Sequence, residues 1–317
     1  MKISACVPIY NTEPRYLRDL IDSVLSQSYG VYEVVLCDDC SAVDYTPVLQ
    51  QWQDDRRIRY IRNASNLGMV GNWNTAVRHS TGELAVVLGH DDMIAPGMFA
   101  AYAAAFARAP DIVLVSSGSH FIDDRGEPAG VRMNVNHRSN IFVDQAEYAL
   151  GAREVTYLCL RNGSAIGELS VLMFRKAIFE TVGGFDPAFR HGADVDLAVR
   201  VAQHGRAIYV NHPYLYRRLH KNNLTWLNLA AGHVSRDRAL RFEHHKRSYA
   251  FDPEELARFR AYLTACATYD LARVTRHKSA GVVGEAFRQI ARYSGFYPSA
   301  YMSLLREVVT GRNRDRR

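Results

Sequence analysis

The 317-residue chain has no apolar run approaching the ~18 residues that would suggest a membrane-crossing helix. Its first residues, MKISACVPIYN, lack the charged-then-apolar layout of a secretory signal. A secreted or membrane-spanning chain is therefore not expected, and the cytoplasm is the expected compartment. Cysteine is scarce. Five thiols, an odd number spread over a long chain, do not make a disulfide framework and suit the reduced state. Internal repeats and low-complexity tracts are lacking too. The net charge of +6 is modest and uneven, because residues 271–317 carry ten Lys or Arg against three Asp or Glu and leave the rest close to neutral. Such a basic end is either solvated or meets anionic lipid or another polyanion, and no nucleic-acid partner is expected.

What is present is enough apolar side chain, 48%, for one large α/β domain or a domain with an extension. Over the first ~120 residues short apolar runs alternate with helical patterns, the signature of βαβ units and a mainly parallel sheet. Strands are expected at 3–9, 33–37, 57–61, 83–89 and 111–117. Pro14 opens a helix with Leu17, Leu20, Ile21, Val24 and Leu25 on one face, and further helices are expected around 70–79 and 97–108. A turn-like DDRGEPAG leads to a less regular stretch with a strand in SVLMF and a helix in KAIFETV. From about residue 224 the chain reads as helices, 284–293 and 301–309 being amphipathic.

Function is expected where loops leave the carboxyl ends of strands, the usual ligand crevice of an open α/β sheet. Three such loops are PIYNTEP, CDDCS and HDDMIAPG. In CDDCS, Cys37 and Cys40 form a C-x-x-C, but there is no second C-x-x-C, and the histidine pair His244–His245 is far along the chain. A four-ligand zinc site is therefore poorly supported, and the motif runs into turn residues instead of opening a redox helix. Cys37 reads better as a small core residue at a strand end. The acids are the stronger signal. Asp91 and Asp92 follow an apolar run at a strand tip, where hard oxygen ligands suit Mg²⁺ or Mn²⁺ bridging a carboxylate to phosphate oxygens. Asp-Asp alone is common in turns, so the joint arrangement of Asp38–Asp39 and Asp91–Asp92 is what carries weight.

That arrangement, in order along residues 1–225, resembles the family 2 glycosyltransferases with the GT-A fold. The resemblance rests on Pro8, Tyr10 and Asn11; on Ser23, Val24, Leu25, Gln27 and Ser28; on Asp38 and Asp39 with Ser41; and on Asn66, Gly68, Asn74, Ala76, Gly82, Glu83, Asp91 and Asp92. It implies a Rossmann-like, mixed but mainly parallel sheet flanked by helices. Residues 1–224 would form the transferase domain, with 1–120 the nucleotide-sugar half and 121–224 the acceptor half, and 225–317 a helical, basic extension. It further implies that Asp39 contacts the base of a nucleoside diphosphate sugar, with Pro8, Tyr10, Asn11 and Asp38 lining the same pocket. A carboxylate accepts the ring N–H of uracil, thymine or guanine and finds no such donor on adenine. UDP and dTDP sugars are expected ahead of GDP sugars.

By the same resemblance Asp91 lies near the donor ribose or sugar and Asp92 binds Mn²⁺ or Mg²⁺. Gly89 stands where the family usually has an acid, and His90 reads as a surface-turn histidine. HGADVDLAVRV resembles the Glu-Asp motif before a helix, which makes Asp194 the expected general base although Ala193 replaces the usual Glu; Asp196 reads equally as a helix-cap or first-turn acid. YLYRRLHKNNLT resembles the late Arg-x-His segment, so His220 is expected at the metal or diphosphate, assisted by Arg218. Glu168 is a candidate for binding an acceptor hydroxyl, and Trp73 and Trp226 are candidate sugar-stacking residues.

The activity implied is transfer of a hexose or deoxyhexose, with inversion, to a glycan or lipid-linked acceptor in surface polysaccharide or glycolipid assembly. The chain lacks both a Gln-x-x-Arg-Trp segment and the membrane helices of a processive synthase, so single addition is expected. The basic tail is expected at the inner face of the membrane. Two rivals remain. A sugar-1-phosphate nucleotidyltransferase would want an early glycine-rich loop, which VPIYNTEPRY does not provide. A catalytically degenerate binding module is consistent with Gly89 and Ala193 but not with the retention of Asp39, Asp91, Asp92 and Asp194.

Overall fold

The computed structural model describes residues 1–129, 142, 144–221, 223–231, 233–257, 259, 260, 262 and 263. In chain order the elements are β1 (Ile3–Ile9), α1 (Pro14–Leu25), β2 (Tyr32–Asp38), α2 (Thr46–Leu49), β3 (Ile58–Arg62), α3 (Gly68–His79), β4 (Leu84–Val87), β5 (Met93–Ile94), α4 (Met98–Ala107), β6 (Ile112–Ile122), β7 (Glu147–Leu150), α5 (Ala152–Asn162), β8 (Met173–Arg175), α6 (Lys176–Thr181), α7 (Ala193–Ala202), β9 (Arg206–Arg218), α8 (Leu224–Ala230) and α9 (His233–Tyr249). The expected amphipathic segments 284–293 and 301–309 lie outside the described residues.

The chain divides into two compact units, Met1–Phe189 with Ala193–Lys221, and Arg190–Gly192 with Asn222–Arg317. The first unit holds one mixed sheet in the order β3-β2-β1-β4-β8-β6-β9-β5, with β7 added on β9. β3, β2, β1 and β4 run parallel, and the long β6–β9 ladder is parallel as well, while β8, β5 and β7 pair antiparallel. Full burial on both faces explains why β1 and β2 read as near-continuous apolar runs: every residue of each is buried. α1 starts on Pro14 and places Leu17, Leu20, Ile21 and Val24 in the core at 0% exposure, so each contributes the ~1.5–3 kcal/mol of a fully buried aliphatic side chain.

Strand order 3-2-1-4 reverses direction at β1, so the loops after β1 and β4 leave on opposite sides of a crevice at the carboxyl ends. Two expectations change in extent: the fifth expected strand runs on to Ile122, and SVLMF becomes a 3-10 turn and the three-residue β8. The 13-residue β9 has no counterpart among the expected strands. In the second unit, α8 and α9 take up Leu224–Ala230 and His233–Tyr249, the first part of the region expected to be helical; residues 264–317 lie outside the described residues.

Candidate active site

The first half of the crevice is built by the loops after β1 and β2, which are tied to each other. Asn11, at φ +47°, donates its amide to Ser41 Oγ (2.9 Å) and accepts from the Ala42 amide at its side-chain oxygen (2.9 Å). Asn tolerates this left-handed conformation better than most residues. The Thr12 amide donates to the Tyr45 hydroxyl at 2.6 Å. Pro8 is a buried β1 residue in register with Cys37, and Tyr10 is 49% exposed at the mouth.

The two aspartates of this half do different work. Asp38 is fully buried and accepts from the Ser41 amide (3.0 Å), the Tyr60 hydroxyl (2.8 Å) and the Arg62 guanidinium. Its side chain is therefore engaged by β3 and its own turn. Asp39 accepts from Asn63 Nδ2 (2.9 Å) and from the Leu67 and Gly68 amides (2.8 and 2.9 Å), capping the start of α3. Cys37 is buried with its thiol pushed up to about 11, first by burial and then by the charges of Asp39 and Asp38. Such a thiol is inert, as expected of a core residue.

The second half is the loop Gly89–Asp92. Asp92 takes a hydrogen bond from Ser170 Oγ (2.9 Å) and another from the Arg218 amide (3.2 Å), while Ser170 Oγ accepts from the Gly89 amide at 2.9 Å. Burial, then the Asp91 charge, raise the Asp92 carboxyl to about 8, against the opposing pull of Arg217. Asp91 meets His220 Nε2 at 2.8 Å; burial works against its ionised form, but this contact prevails and holds its pKa below the usual value. The His220 ring lies 5.3 Å from that of Tyr16.

His90 lies in the turn, as expected, and is half-buried. Its Nδ1 is buried without a hydrogen-bond partner among the described residues, and burial lowers its pKa despite the neighbouring Asp91 charge. Gly89 has a steric reason to be glycine, since a Cβ there would stand 2.9 Å from Asp92 Oδ2 and 3.3 Å from both Asp91 Oδ1 and Ser170 Oγ. The neighbouring carboxylate already fills the space an acid at this position would enter.

The cation near the acids is Arg217, not Arg218. Consecutive strand residues point to opposite faces. Arg217 donates to Glu168 at 2.5 Å, and its charge is felt by Asp92. Burial raises the Glu168 pKa, Arg217 opposes it, and the charge of Asp194 adds to the rise. Arg218, 1% exposed, instead donates to the Asp91 carbonyl (2.9 Å), the Asp123 and Asp124 carbonyls (3.4 and 3.2 Å) and Asp19 (2.7 Å), and lies over the Tyr16 ring. Its guanidinium thus braces the backbone that carries Asp91.

Of the two acids opening α7, Asp194 is half-buried, while Asp196 is 1% exposed and paired with Arg200 at 2.6 Å. Trp73 packs edge-on against Phe185 at 5.2 Å and so belongs to the packing of α3; the side chain of Trp226 lies outside the described residues.

Among the described residues no three His, Cys, Asp or Glu side chains form a group able to hold a metal ion unaided. Asp92, with Asp91 and His220 near it, still offers the carboxylate oxygens and imidazole that Mn²⁺ or Mg²⁺ accepts. Mg²⁺ in particular is commonly held by one or two carboxylates and completed by substrate phosphates and water. The donor set fits a cation that arrives with a diphosphate.

Residues 4–183 match the model of Glycosyl transferase family 2. The O-antigen biosynthesis protein RfbC of Myxococcus xanthus is 28% identical over 209 residues, 64% of this chain and 16% of that protein. The putative glycosyltransferase EpsE of Bacillus subtilis is 31% identical over 127 residues, 39% of this chain and 45% of that one. The chain thus spans less than half the length of these relatives. Among solved structures, S. aureus TarS 1-349 in complex with UDP-GlcNAc superposes with a TM-score of 0.62 at 16% identity, covering 98% of this chain and 92% of that one. The mannosyltransferase PcManGT of Pyrobaculum calidifontis, in complex with GDP-Man and Mn²⁺, gives 0.56 at 18% identity, covering 99% and 88%. At these identities the shared property is the GT-A fold.

Proposed function

The chain belongs to glycosyl transferase family 2, and from that premise we propose that it transfers a hexose or deoxyhexose from a nucleoside diphosphate sugar to a glycan or lipid-linked acceptor, with inversion. The observation that carries this is the convergence of the β4 loop with the end of β9. Asp91 and His220 meet at 2.8 Å, and Arg217 brings a half-buried cation to the same acids. Asp39 and the loop Pro8–Asn11 receive the base side of the donor, where Tyr10 is exposed.

Asp194 takes the proton of the acceptor hydroxyl as that oxygen attacks the anomeric carbon on the face opposite the leaving diphosphate. Arg217 and His220 face the negative charge that accumulates on the leaving group, the role first expected of Arg218. Glu168, held by Arg217, stands where the acceptor side meets the donor side, and its raised pKa suits it to hydrogen-bond a sugar hydroxyl. Asp92 and His220 are the residues that would hold Mn²⁺ or Mg²⁺, which supplies neutralising charge to the diphosphate when bound.

UDP-GlcNAc, UDP and GDP-Man in the structural neighbours support a nucleoside diphosphate sugar donor, and relatives named for O-antigen and teichuronic acid biosynthesis support surface-polysaccharide assembly as the setting. No described helix is long and apolar enough to cross a membrane. The basic segment 271–317 would hold the protein at the inner face of the membrane near a lipid-linked acceptor.

The test is a set of melting titrations with UDP, dTDP, GDP and CMP, each with and without Mn²⁺, followed by turnover of the matching sugar donors by wild type and Asp194→Asn. One nucleoside diphosphate at about 100 times its Kd adds ~2.7 kcal/mol of stability, and Asp194→Asn lowers turnover by ~10²–10⁴, the usual contribution of a general base. If no nucleotide binds, the transferase proposal fails. A second reading, a nucleotide-sugar binding module without turnover, is favoured by the engagement of Asp92 with Ser170 and the Arg218 amide; donor binding with no turnover by wild type would select it.

A further inference from the structure

Tyr16 stands in the first turn of α1, which Pro14 opens shortly after the loop Pro8–Asn11, and it is 7% exposed. Its hydroxyl donates to Asp124 Oδ1, the Arg218 guanidinium lies over its ring at 4.6 Å, and the His220 ring packs against it with centroids 5.3 Å apart and planes tilted by 34°. Both ring contacts are within the reach of cation–π and aromatic pairing. Asp124 is a fixed point. Its other oxygen accepts from Arg15 Nη2 at 2.6 Å, and the turn that carries it is closed by the Asp123 side chain, which accepts from the Arg125 and Glu127 amides at 2.8 and 3.0 Å.

His220 follows the end of β9 at Arg218, so strand pairing does not set its side chain. The outer torsion of a histidine is soft, and the plane of the ring is set by what the ring meets. Here the bond from Nε2 to Asp91, at 2.8 Å, aims one nitrogen, and the Tyr16 ring fixes the plane. We propose that Tyr16 is a positioning residue for His220, holding the imidazole in the orientation that faces the diphosphate, and that the turn after β6 holds Tyr16 in place through Asp124. The role of His220 at the diphosphate rests on the function proposed above, but the packing of the two rings does not. α1 then does more than fill the core: the helix that leaves the base-side loop also backs the imidazole on the diphosphate side.

The test uses the full chain as wild type, Tyr16→Met, Tyr16→Phe, Asp124→Ala, His220→Ala and the double variant Tyr16→Met with His220→Ala. The ring nitrogens of His220 are read by NMR of the protein with isotope-labelled histidine, assigned by their loss in His220→Ala, with the exposed His79 as reference. Turnover is read as UDP release from UDP-glucose and GDP release from GDP-mannose. Tyr16→Met fills the space flexibly, so it is expected to move the His220 nitrogen shifts toward those of free histidine with His79 unchanged, and to lower kcat at least about tenfold with the donor KM within about twofold. Tyr16→Phe keeps the ring and loses only the tie to Asp124, so it and Asp124→Ala each lower kcat by about twofold, as suits an exposed carboxylate. In the His220→Ala background Tyr16→Met changes kcat by less than about 1.5-fold, because no imidazole is left to position. If Tyr16→Met does not fold, Tyr16→Phe and Asp124→Ala carry the same test through a smaller movement of the same nitrogens. Unmoved His220 shifts, moved shifts with undiminished kcat, or an equal loss in the His220→Ala background overturns the proposal. Full turnover by His220→Ala would instead remove the role given to His220, and wild type that turns over neither donor would remove the activity tested; in both cases the nitrogen shifts alone still decide whether Tyr16 holds the ring.

Discussion

Restoring a side chain at Gly89 separates two accounts of that glycine. If it is a lost metal ligand, Gly89→Asp should strengthen the site; if Asp92 already occupies the space, any side chain should damage it. The structure favours damage, because a Cβ would stand 2.9 Å from Asp92 Oδ2, and a contact under 3.0 Å requires something to move. The carboxylate is not a free end. Swinging it away gives up its bonds to Ser170 Oγ (2.9 Å) and the Arg218 amide (3.2 Å). One or two such bonds at ~0.5–1.5 kcal/mol each, together with mild overpacking, make Gly89→Ala cost ~2–3 kcal/mol. At roughly 2 °C per kcal/mol for a chain of this size, the melting midpoint should fall by ~4–6 °C. Gly89→Asp should fall further, since it adds a like charge beside Asp91. The assay is thermal unfolding at pH 7 with and without Mn²⁺, in a double-mutant cycle with Ser170→Ala. Once the Ser170 bond is gone, Asp92 moves at less cost, so the double variant should be less destabilised than the two singles together by ~0.5–1 kcal/mol. Gly89→Ala as stable as wild type, or Gly89→Asp gaining more stability from Mn²⁺ than wild type does, would refute the argument.

Arg217→Met should lower turnover at least tenfold with the fold retained, whereas Arg218→Met, which removes the hydrogen bonds to Asp19 and three carbonyls, should cost ~1.5–3 kcal/mol in denaturant unfolding. Asp39→Ala removes the acceptor for the Leu67 and Gly68 amides and should destabilise by ~1–2 kcal/mol in the same assay, besides weakening nucleotide binding in a melting titration. The pH dependence has a definite sign. The folded Asp92 pKa is raised to about 8, so the native state holds a proton that the unfolded chain has released, and this residue's contribution declines as pH rises from about 4 to 8. Asp92→Asn should therefore gain melting temperature relative to wild type at pH 8 compared with pH 4.5. Asp91 acts oppositely: its lowered pKa contributes stability above the unfolded value that is lost as pH falls through the folded one.

Most of the parallel half of the sheet was legible because β1, β2 and β4 are buried on both faces and α1 carries one apolar stripe, so period and burial agree. The placement of Asp91 and Asp92 at a strand tip was legible for the same reason. The choice between Arg217 and Arg218 was not, because it depends on which face of β9 meets the acids, and that is set by pairing with β6 and β5 far away in sequence. Strand alternation did say that the two arginines point apart, a signal that would have kept Arg217 in view. The role of Asp38 was hidden because its partners, Tyr60 and Arg62, come from a neighbouring strand.

β9 holds the site's charges by its frame. Phe121 and Ile122 pair with Arg217 and Arg218 in fixed register, while the irregularities of the β6–β9 ladder all fall earlier, between Ile112 and Ser119. A one-residue slip beyond those points would exchange the two arginines between faces, turning the buried brace toward the crevice and the crevice cation into the brace. The irregular stretch thus works as an expansion joint. Descendants of this sequence can gain or lose a residue upstream of Ser119 and have it absorbed there, whereas the same change downstream rewrites the electrostatics of the cleft in one step.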